Sequence, residues 1–160
     1  MPSTASFPWG RVVAQAIVAG IAAGAIFDLY TYLTVVLPAQ GSMAAFWQSD
    51  AAIAVGKVAF TSATYVWVGV LVHALVSIGW AGGYAYWAVR QSILRERWLI
   101  AGPVYGIIVL IAMQLILLAV NLYRFPATPT IFVNGVIAYA VFFGLPLAYV
   151  VKLLDAGTRA

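Results

Sequence analysis

Four stretches of this sequence each run for more than about 20 residues with almost no charged side chain, and a helix rising about 1.5 Å per residue needs that length to cross a hydrocarbon core. Between Val12 and Leu37 the only charge is Asp28, and the stretches from Tyr65 to Val89, Trp98 to Tyr123 and Pro129 to Val151 carry no Lys, Arg, Asp or Glu. The runs are continuous instead of alternating, which excludes a transmembrane β-barrel. The chain is 65% hydrophobic and 8% charged, whereas a soluble domain is about one quarter charged. A water-soluble fold of 160 residues has too little interior to hide that much apolar surface.

The expected fold class is therefore all-α: a polytopic membrane protein, a four-transmembrane-helix bundle forming a single domain over residues 1–160. Its helices are expected at about 12–37, 62–89, 98–123 and 129–152. Pro38 stops the first, Arg90 closes the second, and Arg124 with Pro126 closes the third. Thr128–Pro129 opens the fourth as a cap followed by proline at the first helical position. The second helix begins somewhere between Lys57 and Tyr65, in a run too long for length to fix its start. In the connection before it, Met43, Trp47, Ala51 and Val55 recur every four residues around Gln48, Ser49 and Asp50. That pattern reads either as a short helix over 43–56 lying on the outer surface or as a plain loop. Arg11 followed by an apolar run resembles a secretory signal. The run continues past Asp28 to Leu37 without a small-residue cleavage site, so it is read as a retained anchor.

Direction follows from the basic residues, which favour the cytoplasmic side. Arg11, Arg90, Arg95, Arg97, Lys152 and Arg159 fall on one side of a four-span arrangement, against Lys57 and Arg124 on the other. This gives an N-in/C-in orientation, with both termini cytoplasmic. Aromatic belts agree, with Tyr84, Tyr86, Trp87, Trp98 and Tyr149 near the inner face and Tyr30, Tyr32, Tyr65, Trp67 and Tyr123 near the outer. The net charge of +4 reflects these topology signals, so no nucleic-acid partner is expected; the lipid bilayer is, together with other membrane subunits or a second copy. No internal repeat supports an inverted-repeat transporter.

Helices in lipid associate through close packing and polar contacts. Small-xxx-small pairs mark candidate faces at Gly20 and Gly24, Gly79 and Gly83, and Gly102 and Gly106. Pro103 is tolerable in a first turn, while Pro146 is expected to disturb the fourth helix.

Polar groups inside a membrane cost a few kcal/mol each, so each requires an explanation. Asp28, His73, Gln114 and Asn134 occur one per helix. They lie 17 residues from Arg11 (28 − 11), 17 from Arg90 (90 − 73), 17 from Arg97 (114 − 97) and 18 from Lys152 (152 − 134). All four thus fall about 25 Å from the inner basic level and form a candidate intramembrane polar layer. Asp28 shares a face with Gly20 and Gly24, His73 with Gly69 and Ser77, and Gln114 with Asn121. The spacing predicts an Asp28–His73 hydrogen bond or ion pair extended by Gln114 and Asn134, serving either as structural glue or as chemistry. The other acids, Asp50, Glu96 and Asp155, are assigned to the surfaces.

Little else carries chemistry. The absence of Cys excludes thiolate catalysis and Cys-ligated metals, and there is no HExxH, phosphate loop or G-x-S-x-G elbow. An enzyme and a metal site are not expected. No cofactor is clearly implied, although His73 leaves open a haem or pigment held by one axial ligand.

The region from Trp67 to Lys152, with the segments WVGVLVHALVSIGWAGGYAYWAVR and GPVYGIIVLIAMQLILL and a closing helix containing NGVIAYAVFFGLPLAYVVKLL, resembles the uncharacterised bacterial inner-membrane proteins of the YagU type. The shared features are a histidine in the first segment, a following Gly-Tyr stretch and a glycine opening the next helix. The resemblance implies a bacterial inner-membrane location and no activity, and it does not reach Asp28. Three functions remain: a small non-catalytic accessory or structural subunit packing against membrane partners; a small transporter or proton-conducting protein using Asp28 and His73; or binding of a lipid, quinone or pigment between helices.

Overall fold

A computed structural model describes residues 7–122 and 128–157. Helix α1 spans Trp9–Thr31 and continues through a π-helical turn at Tyr32–Val36. It is followed by α2 (Met43–Val55), a 3-10 stretch (Gly56–Thr61), α3 (Tyr65–Arg90), the short α4 (Ser92–Glu96) and α5 (Trp98–Ala119). The last span comprises α6 (Pro129–Ile137), a π-helical run (Ala138–Gly144) and α7 (Leu145–Gly157). Among the described residues four helices are long and apolar enough to cross a membrane: Trp9–Val36, Tyr65–Arg90, Trp98–Ala119 and Pro129–Gly157. Tyr123, Arg124, Pro126 and Arg159, used above as boundary and topology markers, lie outside the described residues.

The distribution of side-chain size is that of a chain dissolved in lipid. The fully buried positions are mostly small, among them Ala19, Ala23, Ala81, Ala85 and Ala88, while large apolar side chains such as Trp67 (76% exposed) and Leu115 (61%) face outward. In water such a surface would be one continuous adhesive patch; in a bilayer large residues meet acyl chains and small ones let helices approach. On α1 the buried stripe Val12, Gln15, Ala16, Ala19, Gly20, Ala23, Gly24 advances by three and four residues, the helical period that keeps one face inward.

Helix α1 packs against α3 on one side and the last span on the other, and α5 packs against the last span. Gly20 permits the first contact, since a Cβ there would lie 2.6 Å from the Ile78 Cα; at Gly24 it would lie 3.0 Å from the Ser77 Oγ. Gly102 faces the Gly144 carbonyl, Gly106 the Tyr139 backbone, and Gly83 the Tyr105 hydroxyl. Gly79 departs from the expected pattern: nothing lies within 4 Å of a Cβ built on it, because it points outward from the bundle. Pro146 cannot donate to the carbonyl of Phe142, and the wide π-helical turns of Ala138–Gly144 immediately precede it.

The connection between the first two spans is a helix, but it does not lie flat on the surface. Trp47 packs its carbonyl against Gly69, Asp50 meets His73, and Ile53 lines a cavity together with Val76. Helix α2 therefore runs alongside α3 toward the end of the bundle that holds the termini. The chain reverses at Gly56, whose φ of 70° favours glycine. It then climbs back, with Ala59 against Ala51 and Ala52, and the Gln48 side chain donating to the Ser62 carbonyl at 3.1 Å. The result is a hairpin of re-entrant form: α2 packs along α3 and the chain returns through an exposed tip at residues 54–58.

At the end holding the termini, Asp155 is buried (6% exposed) and paired with both Arg11 and Arg95. Its expected surface position is corrected: two guanidinium groups from α1 and the α4 turn enclose the carboxylate and tie three elements together. Lys152 lies over the Trp98 ring at 5.1 Å, and Arg90 over Tyr86 at 4.4 Å. Glu96 is exposed, as expected.

Candidate functional site

The site lies at the opposite end of the bundle, around the single histidine. Helix α3 presents His73 on the same face as Gly69 and Ser77, four residues to either side, and the two small neighbours let other elements come close. From α1, one turn beyond Gly24, Asp28 places Oδ1 3.2 Å from His73 Nε2. From α2, Asp50 places Oδ2 3.1 Å from His73 Nδ1. The Trp47 side chain, one turn before Asp50, lines a small cavity together with Asp28. The rings of Phe27 and Phe46 flank the imidazole, with centroids 6.1 and 6.2 Å away.

The predicted Asp28–His73 pair is present, and sequence reasoning missed its third member. Sequence reasoning places Asp50 at the surface, in the connection between two spans. The hairpin turns it toward α3, so a carboxylate in a connection between spans ends at the imidazole. Two signals point to it in retrospect: Gly69, which makes room for the Trp47 backbone, and the three-residue spacing of Trp47 and Asp50 on one helical face.

The expected extension of the pair by Gln114 and Asn134 is not what these two side chains do. Asn134 accepts a hydrogen bond from the Tyr30 hydroxyl and donates to Thr34 Oγ1 at 3.2 Å, tying the last span to the end of α1. Gln114 lines a separate cavity with Asp50, Lys57 and Asn121. Equal depth along four helices does not fix azimuth, and Gln114 and His73 line different cavities that share Asp50.

Proton bookkeeping constrains the trio. A neutral imidazole has one N–H and one lone pair, so with a carboxylate oxygen at each nitrogen one contact would set lone pair against lone pair. The Asp50 contact has hydrogen-bond geometry and the Asp28 contact is a close approach without it; both are favourable together only when the cluster holds one hydrogen more than a neutral ring between two carboxylates, on the ring or on a carboxyl group. Because both ring nitrogens already face carboxylates, axial ligation by His73 would require displacing one of them. The carboxylates sit at opposite ends of the ring, and among the described residues no three such groups are placed to hold a metal.

Three cavities adjoin the trio: one of about 150 Å³ is lined by Asp28, Trp47 and His73, and the other two border Asp50. Of those two, one, of about 220 Å³, lies between α3 and α5, helices not closely packed backbone to backbone at this level. They meet further along, where the Tyr105 hydroxyl donates to the Trp80 carbonyl at 2.7 Å. Its walls are Phe27, Phe46, Trp80, Tyr139 and Phe143, aliphatic side chains of α3 and α5, and the polar His73, Asp50 and Ser77. The other, of about 690 Å³, is lined by Ser49, Asp50, Lys57, Gln114 and Asn121. Asp50 belongs to both. Comparison with known protein families, curated proteins and solved structures gave no match.

Proposed function

We propose that this protein is a small membrane carrier that binds its substrate in the aromatic cavity between α3 and α5 and links binding to a proton held by Asp28, His73 and Asp50. The observation that carries this reading is the position of Asp50. A re-entrant hairpin brings it to His73, and it borders both the polar and the apolar cavity. A residue so placed exchanges with water on one side and with a bound molecule on the other. Substrate sites of membrane carriers are commonly built where helices are interrupted and irregular backbone lines a cavity. An intramembrane acid–histidine cluster is suited to proton exchange.

An accessory, non-catalytic role would leave this buried chemistry without a task, which is why the carrier reading is preferred among the three expectations. The lysine and arginine asymmetry and the YagU-type resemblance support a bacterial inner membrane with both termini cytoplasmic, which opens the polar cavity toward the outside.

The test is made in proteoliposomes that hold a pH gradient, challenged with pools of small amphipathic compounds. At least one pool is expected to dissipate the gradient with the wild-type protein and not with Asp50→Asn or the cavity-filling Val76→Trp. Failure of every pool, or equal dissipation by Asp50→Asn, refutes the reading.

A further inference from the structure

Resting on that binding cavity, we propose that the substrate is an organic cation with a compact apolar body, and that it enters in exchange for the extra proton of the cluster. Five aromatic rings surround the space. Phe27, Tyr139 and Phe143 form a corner, with centroids 4.9 Å apart for Phe27–Tyr139 and 6.3 Å for Phe27–Phe143, at interplanar angles of 64° and 86°. Phe46 and Trp80 add walls from α2 and α3. Aromatic faces attract a cation that has shed water, more strongly when the site is dry.

Charge selects the same class. Asp50 lines the cavity and, among the described residues, no lysine or arginine does; Lys57 borders only the neighbouring polar space. Among the described residues an anion would meet the Asp50 carboxylate and no basic side chain to receive it, at the full cost of burying an unpaired charge. A neutral molecule would leave the carboxylate edge of the cavity unused. A cation seated beside Asp50 finds both an opposite charge and the rings.

The exchange follows from the charge count. With its extra proton the trio carries one net negative charge, two carboxylates against one positive hydrogen. A cation seated at Asp50 competes with His73 for that carboxylate. When it binds, the extra proton leaves through Asp50 to water in the polar cavity. One positive charge enters, one leaves, and no covalent bond is made or broken other than that of the departing hydrogen. The groups facing His73 are Asp28 from α1, Asp50 from α2 and the phenol Tyr139 from the last span across the cavity; α5 presents Val109, Met113 and Leu117, none of which titrates.

The experiment uses the full chain in phosphatidylcholine nanodiscs, with benzyltrimethylammonium and its uncharged isostere neopentylbenzene as probes. Binding is read by thermal stabilisation, and proton release by a pH electrode in weakly buffered solution. Benzyltrimethylammonium is expected to bind, to release about one proton per molecule bound and to tighten up to about tenfold per pH unit while the cluster is protonated, as reciprocal linkage requires. Asp50→Asn is expected to abolish both signals. Val76→Trp, checked for helix content and monodispersity, is expected to abolish binding by filling the cavity while leaving the trio in place. Cation binding without proton release overturns the exchange. Binding of neopentylbenzene alone overturns the cation assignment and leaves the binding cavity standing. Binding of neither probe overturns the cavity reading itself.

Discussion

Adding a single methyl group at Gly69 should release the re-entrant hairpin. In the native packing a Cβ at that position would fall well inside contact distance of the Trp47 carbonyl carbon and oxygen. These are backbone atoms that no rotamer change can move, so Gly69→Ala forces α2 away from α3. Asp50 lies 3.1 Å from His73 Nδ1, and a hydrogen bond is lost beyond about 3.5 Å. A retreat of about half an ångström therefore suffices to open the trio. A hydrogen bond to a charged group contributes about 1.5–3 kcal/mol, and each 1.4 kcal/mol is about tenfold in an equilibrium, so the open hairpin becomes about 10 to 100 times more populated. The chain has no cysteine, so a thiol introduced as Ala51→Cys, at a position with no exposure, reports opening through its labelling rate. Labelling should accelerate by that factor when Gly69→Ala is added to Ala51→Cys. An unchanged rate, with helix content intact, refutes the docking of α2 on α3 and with it the placement of Asp50.

Other substitutions separate the structural contacts. Asp155→Asn leaves Arg11 and Arg95 facing each other without their shared carboxylate, and it should cost about 3–5 kcal/mol, read as a lowered unfolding midpoint in mixed micelles. Gly106→Ala places a Cβ 2.9 Å from the Ala140 Cα and against the Tyr139 carbonyl, so it should destabilise α5 against the last span. Gly79→Ala, into open space, should leave the midpoint unchanged within about 1 kcal/mol; equal effects at the two glycines would contradict the assigned faces. Asn134→Ala removes the bonds to Tyr30 and Thr34 and should cost about 1 kcal/mol, without altering the labelling of Ala51→Cys.

Much of the fold is legible in the sequence because lipid imposes a simple rule: a span must be long, apolar and free of charge. That rule places all four helices to within a few residues. The Gly20, Gly24, Asp28 stripe fixes one face of α1, and the pairing with His73 follows from equal depth and small neighbours. The hairpin is not legible in the same way. It belongs to neither lipid nor water, so hydropathy does not mark it, and its polar residues look like a surface until Gly69 shows where its backbone rests. Gly79 fails for the opposite reason: a small-residue pair has the right spacing on any face, and only the neighbouring helix decides which face is used. Gln114 and Asn134 share a depth with His73, but depth alone says nothing about direction around a helix axis.

The central claim is that one imidazole lies between two carboxylates borne by α1 and the re-entrant hairpin. It is tested most directly by solid-state NMR in bilayers, with the histidine ring nitrogens and the aspartate carboxyl carbons isotopically labelled. The chain has one histidine and three aspartates, and Asp155 lies at the other end of the bundle. Both ring nitrogens should couple to a nearby carboxyl carbon, the Nδ1 coupling disappearing in Asp50→Asn and the Nε2 coupling in Asp28→Asn. A ring nitrogen with no carboxyl neighbour in the wild type, or couplings that survive both substitutions, would contradict the account.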